Sequence, residues 1–239
     1  MKKKYVISLF ALVAIVGGVF GVVTPQAQAA GRMPDTHGST VQLWINHYNT
    51  ACSGVFVAPD LILTAKHCVV FNVVNPQTNK KETRTETHIK VYNSHAGTGT
   101  PIAVAEVKWT HPGETKSNPD VALLKTTNYR TNNYAPVARA TPHVGETVQV
   151  CGVNNLDKLY QGYEGNYCGT STVTEHTSYP TNYILSQPLQ LANGDSGGPV
   201  YNSRGQVVGI IHGDDHSSNF ATSLQHIIFK LRVRGVVVQ

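Results

Sequence analysis

The chain predicts an all-β protein that closes on a single helix, and three observations carry that expectation. From Thr40 onward, short apolar or alternating runs are split by Gly, Pro, Asn and Asp, the pattern of half-buried strands joined by turns. Almost no segment is long and periodic enough for a helix; the exception is Ser223 to Leu231, where Leu224, Ile227, Ile228 and Leu231 fall at i, i+3, i+4, i+7. About 210 of the 239 residues follow the N-terminal apolar stretch, enough for one large all-β unit or two small barrels.

Taken in order, Met1-Lys2-Lys3-Lys4 is a basic start, Tyr5 to Val23 is nearly all apolar, and Ala27-Gln28-Ala29 is a small-residue cleavage pattern. Residues 1–29 are therefore expected to be a secretory signal peptide, making the protein extracellular and, from the style of the leader, bacterial. A run this long also suits an uncleaved membrane anchor; the small-residue site favours cleavage. Strands are expected at Val41 to Ile45, Ser53 to Val57, Leu61 to Ala65, His88 to Tyr92, Ile102 to Trp109 and Val121 to Lys125, within a first unit spanning 30–126. Residues 127–142, rich in Asn, Thr, Tyr and Pro, read as a connection. A second unit, 143–222, takes strands at Thr147 to Val153, Ser171 to Thr174, Asn182 to Gln187, Pro199 to Tyr201 and Val207 to Ile211. Residues 223–239 form the helix and a short apolar tail.

Charge excludes one class of partner. Three of the 19 Lys and Arg and none of the 14 Asp and Glu lie in residues 1–29, which leaves the remainder only mildly basic. With no dense Lys/Arg stripe interleaved with aromatics, no nucleic-acid binding is expected. Four cysteines in an exported chain imply two disulfides, with three connectivities open from the sequence alone. No Cys-x-x-Cys spacing is present, which counts against a zinc site, and no metal or other cofactor is expected; a ligand set of His212, Asp214 and His216 is a minor alternative.

Three stretches carry the chemistry. Gly194-Asp195-Ser196-Gly197-Gly198-Pro199 puts a serine on a glycine-rich loop whose backbone can approach a ligand closely, and the Gly194 and Ser196 amides could there form an oxyanion hole. A serine hydroxyl needs a base to take its proton. Thr64-Ala65-Lys66-His67-Cys68 supplies a histidine at the end of an apolar strand, and Asp120-Val121-Ala122-Leu123-Leu124 a carboxylate entering another. A carboxylate so placed loses solvation and persists only with hydrogen-bond partners, of which His67 is the obvious one. Each stretch alone could be an ordinary turn; all three in this order argue for a nucleophile, base and orienting acid.

In that order the stretches resemble the chymotrypsin (trypsin-like) family of serine proteases, over the chain from about Val41 to the C-terminus. The order His, Asp, Ser differs from the orders of subtilisins and α/β-hydrolases. The resemblance implies two six-stranded antiparallel Greek-key barrels with a C-terminal helix, the site lying between the barrels. It implies a secreted endopeptidase acting on proteins or peptides as a monomer, with His67, Asp120 and Ser196 as the catalytic residues and no stable membrane association after signal cleavage. It also implies a Cys52–Cys68 disulfide closing the loop that carries His67, leaving Cys151 and Cys168 for the second.

For the specificity pocket the resemblance implies a floor near Gln190, where enzymes that prefer Arg or Lys carry aspartate, and a wall of His212, Gly213 and Asp214. His212 could recognise an acidic side chain, as in glutamyl endopeptidases, and Asp214 or Asp215 a basic one. The alternatives are thus a glutamyl-specific or exfoliative-toxin-like protease and, from another class, an inactive protease-like binding protein. In many relatives the residue corresponding to Asp195 pairs with a new N-terminal ammonium after zymogen cleavage, for which Arg32-Met33 is a candidate point; streptogrisin-like relatives use an internal arginine, for which Arg139 is the candidate.

Overall fold

The computed structural model describes residues 32–34, 37–47, 50–93, 100–113, 119–153, 167–177, 182–186, 191, 193–214 and 219–239. The expected signal peptide, Gln190, Asp215 and His216 lie outside the described residues.

Two antiparallel barrels make up the fold. The first is a closed sheet of β2 (Thr40–Ile45), β3 (Thr50–Ala58), β4 (Leu61–Thr64), β9 (Ala122–Thr127), β8 (Ala103–Thr110) and β7 (Ile89–Asn93), in that spatial order. All four residues of β4 and the first three of β9 are buried, which explains why both strands read as continuous apolar runs rather than alternating ones. One side of this wall faces the barrel interior; on another, Leu61 lies near Gly235 of the C-terminal segment.

The second barrel runs β11 (Tyr167–His176), β10 (Thr147–Gly152), β13 (Pro199–Tyr201), β14 (Val207–Asp214), β15 (Asn219–Ser223) and β12 (Asn182–Leu185), and closes by pairing β12 with β11. Val148, Val150, Val173, Leu185, Val200, Val208 and Ile211 fill it. A short β1 (Arg32–Pro34) adds to β11, so these residues join the second barrel and not, as the sequence placed them, the first.

Two further differences have local causes. A hairpin of β5 (Val70–Val74) and β6 (Lys81–Thr85) stands beside the first barrel. Its turn is set by Asn75, whose side-chain oxygen accepts from the Gln77 and Thr78 amides, and by Asn79 at φ 53°. Because β6 is almost wholly exposed, it carries no apolar signal. The expected helix is shorter than its pattern: Ser223 belongs to β15, and Gln225–Ile227 form a 3₁₀ turn before α2 (Ile228–Arg232). Leu224, Ile227 and Leu231 are nonetheless buried, and they pack into the core of the first barrel. The tail follows them, with the Val237 amide donating to Val57 of β3 and the Val137 amide to Val237. The C-terminus thus ties the connection between the barrels to the first barrel's wall.

Candidate active site

The site is built at the ends of strands. The chain leaves β4 and turns at once into α1 (Lys66–Val69), a single helical turn that carries His67. Cys68 in the same turn is bonded to Cys52 of β3, which fixes the turn to the barrel wall; Cys151 of β10 is bonded to Cys168 of β11.

Asp120, two residues before β9, is 1% exposed and meets His67 twice. One carboxylate oxygen accepts the His67 backbone amide at 2.9 Å, and the other lies 2.5 Å from His67 Nδ1. Since a carboxylate only accepts, Nδ1 bears the proton, and in the neutral ring Nε2 is left as an acceptor. His212 reaches the same Asp120 oxygen through its own Nδ1 at 2.7 Å, its ring edge-on to that of His67. A bulge between Ile211 and Gly213 in the β14–β15 pairing leaves His212 without a partner across the ladder and turns its side chain toward Asp120. Burial by itself raises the Asp120 carboxyl, but the hydrogen bonds and charge of the two imidazoles outweigh it and hold the group well below its ordinary value.

Lys66, beside His67, is 9% exposed and donates to the carbonyls of His111 and Gly113. Burial lowers its ammonium below the usual lysine value, and the charge on Asp120 opposes that shift. This lysine braces the end of β8 against the histidine turn.

Ser196 and His67 line one cavity of about 340 Å³, together with Ala51, Cys52, Cys68, Asn193 and Gly194. No hydrogen bond joins the Ser196 hydroxyl to His67 among the described residues; the two groups share the cavity wall. The loop that carries Ser196 is rigidly held. Gly197, at φ +85°, packs so closely on Thr64, Ala65 and the Ser53 carbonyl that no Cβ fits. Its amide donates to Ile211, while the Gly198 amide donates to Asp195. Asp195 is fully buried against Gly152, and Arg139, the candidate internal partner for it, is exposed.

Of the expected pocket wall, Gly213 and Asp214 continue β14, paired with Phe220 and Asn219; the Asp214 side chain and Gln190 lie outside the described residues. His67, Asp120 and His212 form the described cluster that could hold a cation, their ligand atoms all within 4.8 Å of one another. Three features escaped the sequence reading: the contact of His212 with Asp120, the buried Lys66 beside the histidine, and the bonds of Ser53 to the Gly194 and Ser196 carbonyls. The lysine in Thr64-Ala65-Lys66-His67-Cys68 was a visible signal for a buried cation beside the histidine. Ser53 carried none beyond its place after Cys52.

Known structures share this architecture at low sequence identity. A Glu endopeptidase is similar with a TM-score of 0.66 and 19% identity, over 85% of this chain and 95% of that one. Mouse neuropsin, a serine protease, is similar with a TM-score of 0.64 and 18% identity, over 86% and 98%. The active form of the Rv3671c protease of M. tuberculosis gives 0.60 and 19%, over 84% and 83%. No curated protein matches the sequence significantly. The family model for the trypsin-like peptidase domain matches residues 52–210, more than half of the chain and the span that includes all three motif stretches. With two antiparallel barrels and a buried carboxylate holding a histidine at the cleft, the chain belongs to the trypsin-like peptidases and is a serine-type endopeptidase.

Proposed function

We propose that the protein is a secreted endopeptidase in which Ser196 attacks the peptide carbonyl, His67 acts as base and acid, and Asp120 orients His67. The observation that carries this reading is the double hydrogen bond from His67 to Asp120, which leaves Nε2 as the free acceptor of a ring that lines the same cavity as Ser196. His67 Nε2 takes the Ser196 proton as the acyl bond forms, then returns it to the leaving amine, while the Asp120 charge stabilises the imidazolium between the two steps. The Gly194 and Ser196 amides hold the developing oxyanion. Water admitted through the same base releases the acyl group, and no step draws on a cofactor. Catalytic hydrogen bonds are often long without substrate and tighten when it binds, so the missing Ser196–His67 bond fits this scheme. The signal-peptide pattern expected at residues 1–29 and the two disulfides support export.

The test is labelling of Ser196 by a fluorophosphonate. Reaction with the wild type and none with Ser196→Ala or His67→Ala is expected; equal labelling of all three would reject the assignment.

His212 supports a narrower reading. With Nδ1 given to Asp120, its Nε2 remains to meet a substrate, and an imidazolium there would favour an acidic side chain before the scissile bond. A similar fold is found in a Glu endopeptidase. Cleavage of a mixed peptide library after Glu and Asp would support the narrower specificity, and cleavage after Lys, Arg or large apolar residues would reject it.

A further inference from the structure

We propose that Ser53 is the positioning residue that keeps the oxyanion loop in its working shape, a role that rests on the reading of Ser196 as nucleophile. Ser53 lies in β3 beside the bridged Cys52 and is 0% exposed. Every polar group it has is engaged at the cleft. Its amide donates to the Ser196 carbonyl at 2.8 Å, and its hydroxyl donates to the Gly194 carbonyl at 2.7 Å. The same hydroxyl accepts from the Val153 amide at 2.8 Å, and the Ser53 carbonyl accepts from the Thr64 hydroxyl at 2.7 Å. One residue of the first barrel therefore grips both sides of Asp195 and the segment that follows β10 in the second.

The grip matters because peptide units are planar. The Gly194 amide belongs to the 193–194 peptide and the Ser196 amide to the 195–196 peptide; the 194–195 peptide lies between them. A shift of that middle unit moves the Gly194 and Asp195 Cα atoms on which the two donor peptides hang, so the donors lose their common aim. Gly194, at φ +107° and without a Cβ, offers little resistance to such a shift. The next two carbonyls along the loop, Asp195 and Ser196, are held by main-chain amides of Gly198 and Ser53. The Gly194 carbonyl is held by a side chain, the Ser53 hydroxyl. Removing that hydroxyl leaves two buried main-chain groups, Gly194 C=O and Val153 N–H, without this partner. Displacement of the 194–195 unit toward another donor or toward water would relieve the first of them and carry the two donor peptides with it.

The experiment compares Ser53→Ala, Ser53→Cys and Ser53→Thr with the wild type, all made from the full chain. Cysteine keeps the shape of serine but is a weak donor and acceptor, whereas threonine keeps the hydroxyl. Turnover of one fluorogenic peptide, inhibition by the aldehyde of the same peptide, fluorophosphonate labelling and thermal unfolding are read on each. For Ala and Cys, kcat is expected to fall ~10- to 100-fold, short of the full loss of an oxyanion donor, with KM within about 3-fold of wild type. Aldehyde inhibition should weaken by the same factor as kcat, because the hemiacetal oxygen uses the same donors, and Thr should restore both. A KM effect with kcat unchanged, or no kcat effect in Ala and Cys, overturns the proposal. So does failure of both variants to fold, since the hydroxyl is then a requirement of the barrel and not of the loop. A wild type that is not labelled at Ser196 defeats the nucleophile assignment itself; a labelled wild type with unaffected variants defeats the Ser53 role alone.

Discussion

His67 and His212 present their Nδ1 atoms to one oxygen of Asp120, at 2.5 and 2.7 Å, so a single buried carboxylate orients two imidazoles on the cleft. The second Asp120 oxygen takes the His67 backbone amide. Asp120 thereby ties the end of the first barrel's β9 both to the histidine turn and to the bulge of β14 in the second.

This shared oxygen gives a pH-dependent contribution to stability. Burial raises the Asp120 carboxyl and the two imidazoles lower it further than burial raises it, so the folded value lies below the ordinary 3.8. A group lowered on folding stabilises fully above its unfolded value and loses that contribution as pH falls through the folded one. His212→Ala removes one hydrogen bond to a charge and is expected to destabilise by about 1–2 kcal/mol at pH 7. Urea unfolding followed downward from pH 7 should show the gap from wild type persisting to the ordinary carboxylate value of 3.8 and shrinking only as pH falls further toward the folded one; a gap already lost near 3.8 would disprove the linkage.

Asp120→Asn keeps the shape but not the charge, and the amide can turn its NH₂ toward His67 and so favour the wrong tautomer. A drop of about 10⁴-fold in kcat is expected, with a far smaller change in KM. Steady-state kinetics on one peptide decide it; a drop below about tenfold would remove Asp120 from its orienting role.

Gly197 and Gly145 form a matched pair for the loop. Both have positive φ, +85° and +88°, yet a Cβ at Gly197 collides with Thr64 and two backbone groups while one at Gly145 meets nothing within 4 Å. Gly145→Ala should destabilise by only about 1–2 kcal/mol from backbone strain. Gly197→Ala adds the collision and should lose more than about 3 kcal/mol or fail to accumulate folded protein. Comparable denaturation midpoints for the two would show that the β4 contact yields easily.

Removing the Cys52–Cys68 bond by changing both residues to Ser opens a loop with a sequence separation of 16. A loss of about 3 kcal/mol is expected, or roughly 6–12 °C in the thermal midpoint. Turnover should fall at temperatures where the variant is still folded, because His67 sits next to the released Cys68. Calorimetry with parallel activity measurements checks both; an unchanged midpoint would mean that the barrel alone holds the histidine turn.

The sequence by itself determined the all-β class, most strands of both barrels and the three stretches that carry His67, Asp120 and Ser196, because each is a local pattern. Apolar periodicity reports which face of a strand is buried, and Gly197 between Ser196 and Gly198 reports a backbone under close approach. Tertiary structure decided what no local pattern encodes. The direction of His212 depends on a bulge, and a bulge is a mismatch of register between β14 and β15 that neither strand contains alone. The four bonds of Ser53 reach Gly194, Ser196, Val153 and Thr64, groups brought together only when the two barrels close on each other. The exposed β6 and polar β15 stayed hidden for the converse reason: their pairing rests on main-chain hydrogen bonds to a neighbour, which leave no mark on side-chain hydrophobicity.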